Sequence, residues 1–87
     1  MNIFEIFNTK KTVWVAERVI VKDGVPIPDE QIGVAKSREM ACALLHREGF
    51  LAGDWLTLTS DLGVKRMRFL FYNSAGEYAR VREVPLH

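Results

Sequence analysis

The last third of the chain, Val64 to Val84, has the pattern of a β-hairpin and constrains the fold more than any other stretch. Ser74-Ala75-Gly76 fits a three-residue connection in which Gly76 takes the left-handed backbone conformation. Asn73 and Glu77 then close the loop, and Tyr72 is expected opposite Tyr78. The register of both strands follows from this one loop.

Alternation along the two strands separates a basic and aromatic face from an apolar face. The residues expected on the basic face are Arg66, Arg68, Leu70, Tyr72, Tyr78, Arg80 and Arg82. Arg68 is expected opposite Arg82, and Leu70 opposite Arg80. Because arginines directly opposite each other repel, the pattern indicates a surface that binds an anionic partner. Exposed Arg and Tyr are also common on the solvated side of antiparallel sheets, where solubility and β-propensity account for them without a partner.

The first 35 residues also contain stretches whose composition is typical of β-strands. Ile3–Phe7 is short, aromatic and β-branched, which favours a strand over a first helical turn. Thr12–Lys22 is the longest strand candidate, with a bulge expected near Glu17-Arg18 because the apolar residues change parity there. The prolines in Val25–Asp29 confine that stretch to a loop or a sheet edge, and Gln31–Ala35 is expected to be a short strand.

One helix is predicted from Arg38 to Glu48. Ser37 is a good N-cap, an acidic residue occupies the first turn, and Gly49 supplies a stop signal. Its buried stripe is expected to contain Met40, Ala41, Leu44 and Leu45.

After a turn at Ala52–Asp54, a strand is predicted from Trp55 to Thr59. A tight loop through Asp61–Gly63 would set Trp55 against Arg68, so that Trp55 joins the basic face. The predicted fold for residues 1–87 is a single α+β domain, in which one helix packs on an antiparallel sheet of about five to six strands. The predicted order is β-β-β-α-β-β-β. The predicted core is Leu44, Leu45, Leu56, Met67, Phe69, Phe71 and Val81.

Length and charge narrow the function. A chain of 87 residues buries roughly 60–65% of its unfolded surface, so a deep catalytic cleft is not expected. Residues 1–63 carry a charge balance of −2 and residues 64–87 one of +3, which places the positive charge in the final hairpin. A single cysteine, Cys42, excludes an internal disulfide and fits a reducing compartment. Without an apolar run of about 20 residues or a secretory leader, the expected location is the cytoplasm, with no membrane partner.

Catalytic motifs are not found in the sequence. His46 and His87 have no zinc-ligand spacing, and Cys42 lies among small apolar residues that favour burial over reactivity. Asp29-Glu30 has no facing carboxylate in any pattern, and the glycines do not form a phosphate loop. We therefore expect no catalytic residue, metal or cofactor, and a chain that is not an enzyme.

Two binding functions remain open. Arginine forks onto phosphates and carboxylates, and Trp55, Tyr72 and Tyr78 offer flat surfaces that either anchor a protein interface or stack on bases. The first hypothesis is a protein-interaction module, and the alternative is a small RNA- or single-stranded-DNA-binding domain. The expected partner-binding residues are Trp55, Arg66, Arg68, Tyr72, Tyr78, Arg80 and Arg82.

The junction Val34-Ala35-Lys36-Ser37, which runs into a helix bearing Glu39 and Ala41, carries a resemblance to known proteins. A strand entering a short helix in this way, followed by a β-meander, resembles small proteins of phages and mobile elements, including anti-CRISPR inhibitors. The resemblance covers about Gln31 to Val84. It implies a non-enzymatic inhibitor that binds a host protein, ribonucleoprotein or defence complex. With its basic face, this chain would block by contacting acidic protein surface or nucleic acid.

Overall fold

The computed structural model describes residues 11–86. They form five strands and one helix in a single antiparallel sheet, so the α+β class is confirmed. The elements are β1 Thr12–Lys22, β2 Val25–Ala35, α1 Arg38–Arg47, β3 Ala52–Thr59, β4 Lys65–Tyr72 and β5 Tyr78–Pro85. The strand order is β2-β1-β5-β4-β3. In the described part of the chain the helix follows the second strand and not the third, and a sixth strand is not found. The predicted strand Ile3–Phe7 lies outside the described residues.

The first hairpin turns at Asp23-Gly24, where both residues have positive φ. β2 is longer than the predicted Gln31–Ala35 because it continues through Pro26 and Pro28. Both prolines fit there because β2 is an edge strand, and its outer side needs no N–H donor. The pairing of β1 with β2 shifts register on both sides of Glu17-Arg18, but the extra residues are on β2 and β1 pairs without a shift with β5, so the bulge predicted within β1 is wrong.

The half of this first hairpin that is nearer to the Asp23-Gly24 turn bends toward the sheet face that does not carry α1. Arg80 Nη1 of β5 lies 3.5 Å from the carbonyl oxygen of Pro26, two strands away in the sheet order. The two bulges account for the bend, because an extra residue on one strand increases local twist and curvature. At the tip, the Asp23 side chain accepts a hydrogen bond from the backbone N–H of Asp61. A Cβ on Gly24 would lie 2.7 Å from the Ser60 nitrogen, so this approach requires glycine.

Helix α1 begins as predicted and ends one residue earlier. The Ser37 hydroxyl oxygen accepts a hydrogen bond from the Met40 N–H at 3.2 Å, which satisfies one of the free donors of the first turn. Ala41 and Leu45 are buried, one turn apart on the face against the sheet. The prediction that Met40 belongs to the buried stripe is wrong, since Met40 is exposed.

The main core lies between α1 and the sheet and is built largely from small residues, while Val15, Val19 and Leu70 are buried on the opposite face. Its buried members are Ala16, Ala35, Ala41, Leu45, Phe50, Phe71 and Ala79, with Leu44, Phe69 and Val81 packed against it. Alanines on the strands leave room for Phe50, which follows the helix and is fully buried. Two predicted core residues are misplaced. Met67 is exposed, and Leu56 lies on the sheet face away from α1.

The loop between β4 and β5 is confirmed as predicted. The Asn73 N–H donates to the Glu77 carbonyl at 3.2 Å, Gly76 has a φ of 79°, and Tyr72 pairs with Tyr78. The pairing of the two strands then stops after Phe71 and Ala79. The predicted pairs Arg68 with Arg82 and Leu70 with Arg80 are therefore wrong.

Beyond that point β4 pairs with β3 alone among the described strands, along its whole length. We call the unit formed by β3, β4 and their loop, residues 52–72, the arm. The predicted turn at Ala52–Asp54 is part of strand β3.

We expect Phe50→Ala to lower the free energy of unfolding by about 3–5 kcal/mol, because the ring is fully buried and its loss leaves a cavity beside α1. Leu62→Ala is the control, since Leu62 is 91% exposed and its change is expected to stay within about 0.5 kcal/mol. Urea denaturation followed by circular dichroism measures both. Equal losses in the two variants would contradict this description of the core.

Candidate functional site

The basic residues do share one face of the sheet, as the sequence indicates. The pairing of Tyr72 with Tyr78 fixes the parity of β4 relative to β5. Arg66 and Arg68 on β4 and Arg80 and Arg82 on β5 then lie on the side away from α1. The four arginines nevertheless have different surroundings.

Arg80 and Arg82 are held by a buried carboxylate. Glu17 is 3% exposed, and its Oε2 accepts hydrogen bonds from Arg80 Nε at 2.6 Å and from Arg82 Nε at 2.9 Å. Glu17 lies on β1, which pairs with β5 and places it directly opposite Arg80. A buried carboxylate needs such charge-assisted partners, so these two arginines stabilise the fold.

Arg66 and Arg68 have no carboxylate partner among residues 11–86. Both are exposed, and Arg68 Nη1 donates to the carbonyl oxygen of Met67 at 3.2 Å. β4 is not paired with β5 at this level, so the two guanidinium groups project from the arm. They are the cations of the predicted face that remain available to an anionic partner.

The predicted position of Trp55 is wrong, because the register of the arm differs by one residue. Trp55 pairs with Phe69, and Leu56 pairs with Arg68. A shift of one residue transfers every side chain of a strand to the other face. Trp55 therefore lies on the α1 side of the sheet, where its ring packs edge-on against Phe69 with centroids 5.6 Å apart.

This side of the arm is an aromatic and apolar surface. Phe69 in turn packs edge-on against the buried Phe71, with centroids 5.4 Å apart, so the rings connect the core to the surface. Trp55 at the outer end is 60% exposed, and Met67 on the neighbouring strand is 58% exposed. The arm thus presents arginines on one side and, on the other, an exposed tryptophan whose ring packs against Phe69.

A shallow groove lies where the arm joins the rest of the sheet. Its volume is about 340 Å³, and it is lined by Asp54, Leu56, Tyr72, Asn73, Gly76 and Tyr78. Tyr72 is exposed and Tyr78 is partly buried, so the two predicted tyrosines are on the surface that the sequence assigned to them. Leu70, expected beside them, is buried.

An ion-pair cluster around Arg18 was missed by the sequence reasoning. Arg18 Nη1 lies 2.5 Å from Glu30 Oε1, and other nitrogens of the same guanidinium lie 3.7 Å from Glu48 and from Glu77. The group also lies over the Phe50 ring, 5.5 Å from its centroid. The acids come from β2, the end of α1 and the β4–β5 loop, so no local pattern reveals them.

No group of three His, Cys, Asp or Glu residues suited to a metal ion occurs within residues 11–86. His46 is exposed on α1, and Cys42 is partly buried beside the core. In the same part of the chain, no helix is long and apolar enough to cross a membrane.

Comparison of this chain with known protein families, curated proteins and solved structures finds no match.

Arg82→Glu is expected to lower the free energy of unfolding by about 1–3 kcal/mol, because it removes a charge-assisted hydrogen bond and adds a second carboxylate beside buried Glu17. Arg68→Glu makes the same charge change away from any described carboxylate, and it is expected to alter stability by no more than about 0.5 kcal/mol. Urea titration compares the two. A larger loss for Arg68→Glu would contradict the division of the basic face.

Proposed function

We propose that this chain is a non-catalytic protein-binding module that attaches to an acidic surface of its partner through the arginine side of the arm. The observation that carries the proposal is the exposure of Arg66 and Arg68, without a carboxylate partner in residues 11–86. Guanidinium groups form paired hydrogen bonds to carboxylates, so a partner that supplies Asp or Glu satisfies them.

The attachment of the arm at two places supports this function. At one end Phe71 is buried in the core, and at the loop end Asp61 donates its backbone N–H to the Asp23 side chain. Arg66 and Arg68 lie between these points on a regular strand. A surface held in its binding conformation loses less entropy on association than a flexible loop would.

The side chains on the α1 side of the arm favour a protein over a nucleic acid. Exposed tryptophan and methionine next to a polar rim are typical of protein interfaces, where tryptophan often contributes most of the binding energy. Binding of single strands instead needs rings beside the phosphate contacts. Trp55 lies on the opposite side from Arg66 and Arg68, which leaves the two tyrosines as the aromatic rings on the arginine side.

The identity of the partner follows from the resemblance alone and stays a prediction. That prediction is a host protein, ribonucleoprotein or defence complex in the cytoplasm, inhibited when this chain occupies one of its surfaces. Arg80, Arg82, Tyr72 and Tyr78 extend the proposed surface toward the sheet.

A charge-reversal experiment tests the proposal. In affinity capture from nuclease-treated cytoplasm, the wild-type chain is expected to retain a partner, and the double variant Arg66→Glu, Arg68→Glu is expected to lose it. Arg38→Glu with Arg47→Glu is the matched control, because it makes the same charge change on the exposed side of α1. Equal retention by all three proteins, or equal loss from both double variants, would overturn the proposal.

Binding to an isolated oligonucleotide separates the alternative. We expect weak affinity for single-stranded RNA or DNA, with a logarithmic salt slope of roughly −1.4, because two free arginines neutralise about two phosphates. Fluorescence anisotropy at several salt concentrations measures this. Submicromolar binding that is lost on Tyr72→Ala would instead support a nucleic-acid-binding domain.

A further inference from the structure

The two edges of the sheet that residues 11–86 form are protected to different degrees. The outer edge strand β2 contains Pro26, Pro28 and the two bulge positions, which are devices that prevent pairing with another strand. The other edge strand, β3, is eight residues long and contains no proline, lysine or arginine. Its register with β4 is continuous. β3 therefore retains the geometry that an additional strand requires.

The backbone groups on the outer side of β3 belong to its odd-numbered residues. The Ser60 N–H donates to the Val64 carbonyl, so alternation directs the even-numbered residues of β3 toward β4. Gly53, Trp55, Thr57 and Thr59 then direct their N–H and C=O groups outward. The outward N–H of Trp55 donates to Asp54 Oδ1 at 2.8 Å.

Within residues 11–86, the part of this edge that has no strand partner is centred on Trp55. At Thr59 the carbonyl group is already approached by Gly24 of the first hairpin, which leaves Gly53 to Thr57 accessible. This segment has two residues on each side of Trp55. Two identical segments that pair antiparallel in this register use all three outward positions of each.

We propose that a second copy of this chain pairs with the first along β3, with Trp55 opposite Trp55, so that the five described strands of each copy form one continuous sheet. Gly53 of each copy then faces the partner's Thr57, and the hydrogen bonds run between the outward groups of both strands. The two tryptophan side chains meet on the α1 side of the sheet, where they cover each other's exposed surface. The proposal goes beyond the proposed partner binding and does not depend on it.

Charge complementarity favours a second copy over an unrelated strand. In this register Asp54 lies opposite the partner's Leu56, and that Leu56 pairs with the partner's Arg68. Asp54 and the partner's Arg68 are then on one face, two strand spacings apart, or about 9.6 Å between backbones. Long side chains span that distance. Because the Trp55 N–H would donate to the partner strand, Asp54 becomes free to receive the guanidinium.

The oligomeric state gives the first test. Sedimentation equilibrium is expected to report twice the 10.0 kDa mass of the chain. Thr57→Pro removes an N–H that points away from β4, so it is expected to give a folded monomer. Thr57→Val keeps the N–H and is expected to remain a dimer. Circular dichroism confirms that each variant is folded.

Disulfide trapping tests the register independently of the proline. In a Cys42→Ser background, Trp55→Cys places the two thiols in a directly opposed pair about 5.5 Å apart at Cα, within the range for a disulfide of about 4.4–6.8 Å. Mild oxidation is expected to give a covalent dimer. Thr57→Cys in the same background is the control. It is expected to run as a monomer in non-reducing gel electrophoresis, because Thr57 faces the partner's Gly53 and the two thiols are therefore not opposite each other.

A wild-type chain that sediments as a monomer at several hundred micromolar would overturn the dimer. Crosslinking of Thr57→Cys without that of Trp55→Cys would overturn the register. Because Thr57→Pro leaves Arg66 and Arg68 unchanged, affinity capture with that variant separates failure of the dimer from failure of the proposed partner binding.

Discussion

The short pairing of β4 with β5, which consists of two residue pairs, is the constraint on which the other features of this protein depend. Because the pairing stops after Phe71 and Ala79, β4 continues into the arm with β3 as its described partner. The outer part of the arm therefore exposes Arg66 and Arg68 on one face and Trp55 and Met67 on the other, while β1, β2 and β5 enclose the core beneath α1. The exposure of Arg66 and Arg68 follows from this divergence, whereas β3 has a free edge among the described strands because it is last in the sheet order.

The buried carboxylate of Glu17 divides the charges of the basic face. Placed on the central strand β1, it binds the two arginines of the neighbouring β5, so they contribute to folding. The arginines of β4 lie beyond its reach because the strand has already diverged. The arginines that the sequence places on one face thus have two physical roles. Those of β5 stabilise the fold, and those of β4 are proposed to bind a partner.

Local signals predicted the elements whose geometry is local. Ser37 identifies the start of the helix, and the Asn73 to Gly76 spacing gives the β4–β5 loop with its register. The same spacing recurs at Ser60 to Gly63, where Gly63 also has positive φ and donates to the Ser60 carbonyl. Reading that loop by the same rule gives the observed register and places Trp55 correctly.

Other features required contacts that a single sequence does not display. Glu17 lies 63 and 65 residues from its arginine partners, so its burial depends on the pairing of β1 with β5. Phe50 follows the helix stop signal, and its place in the core depends on the alanines opposite it.

Amide hydrogen exchange, measured by NMR for single residues, tests the divergence of β4 most directly. We expect slow exchange at Arg66 and Arg68, whose N–H groups point to β3, and fast exchange at Met67, whose N–H points toward β5. Equal protection at all three amides would contradict it, because β4 would then be paired along both edges.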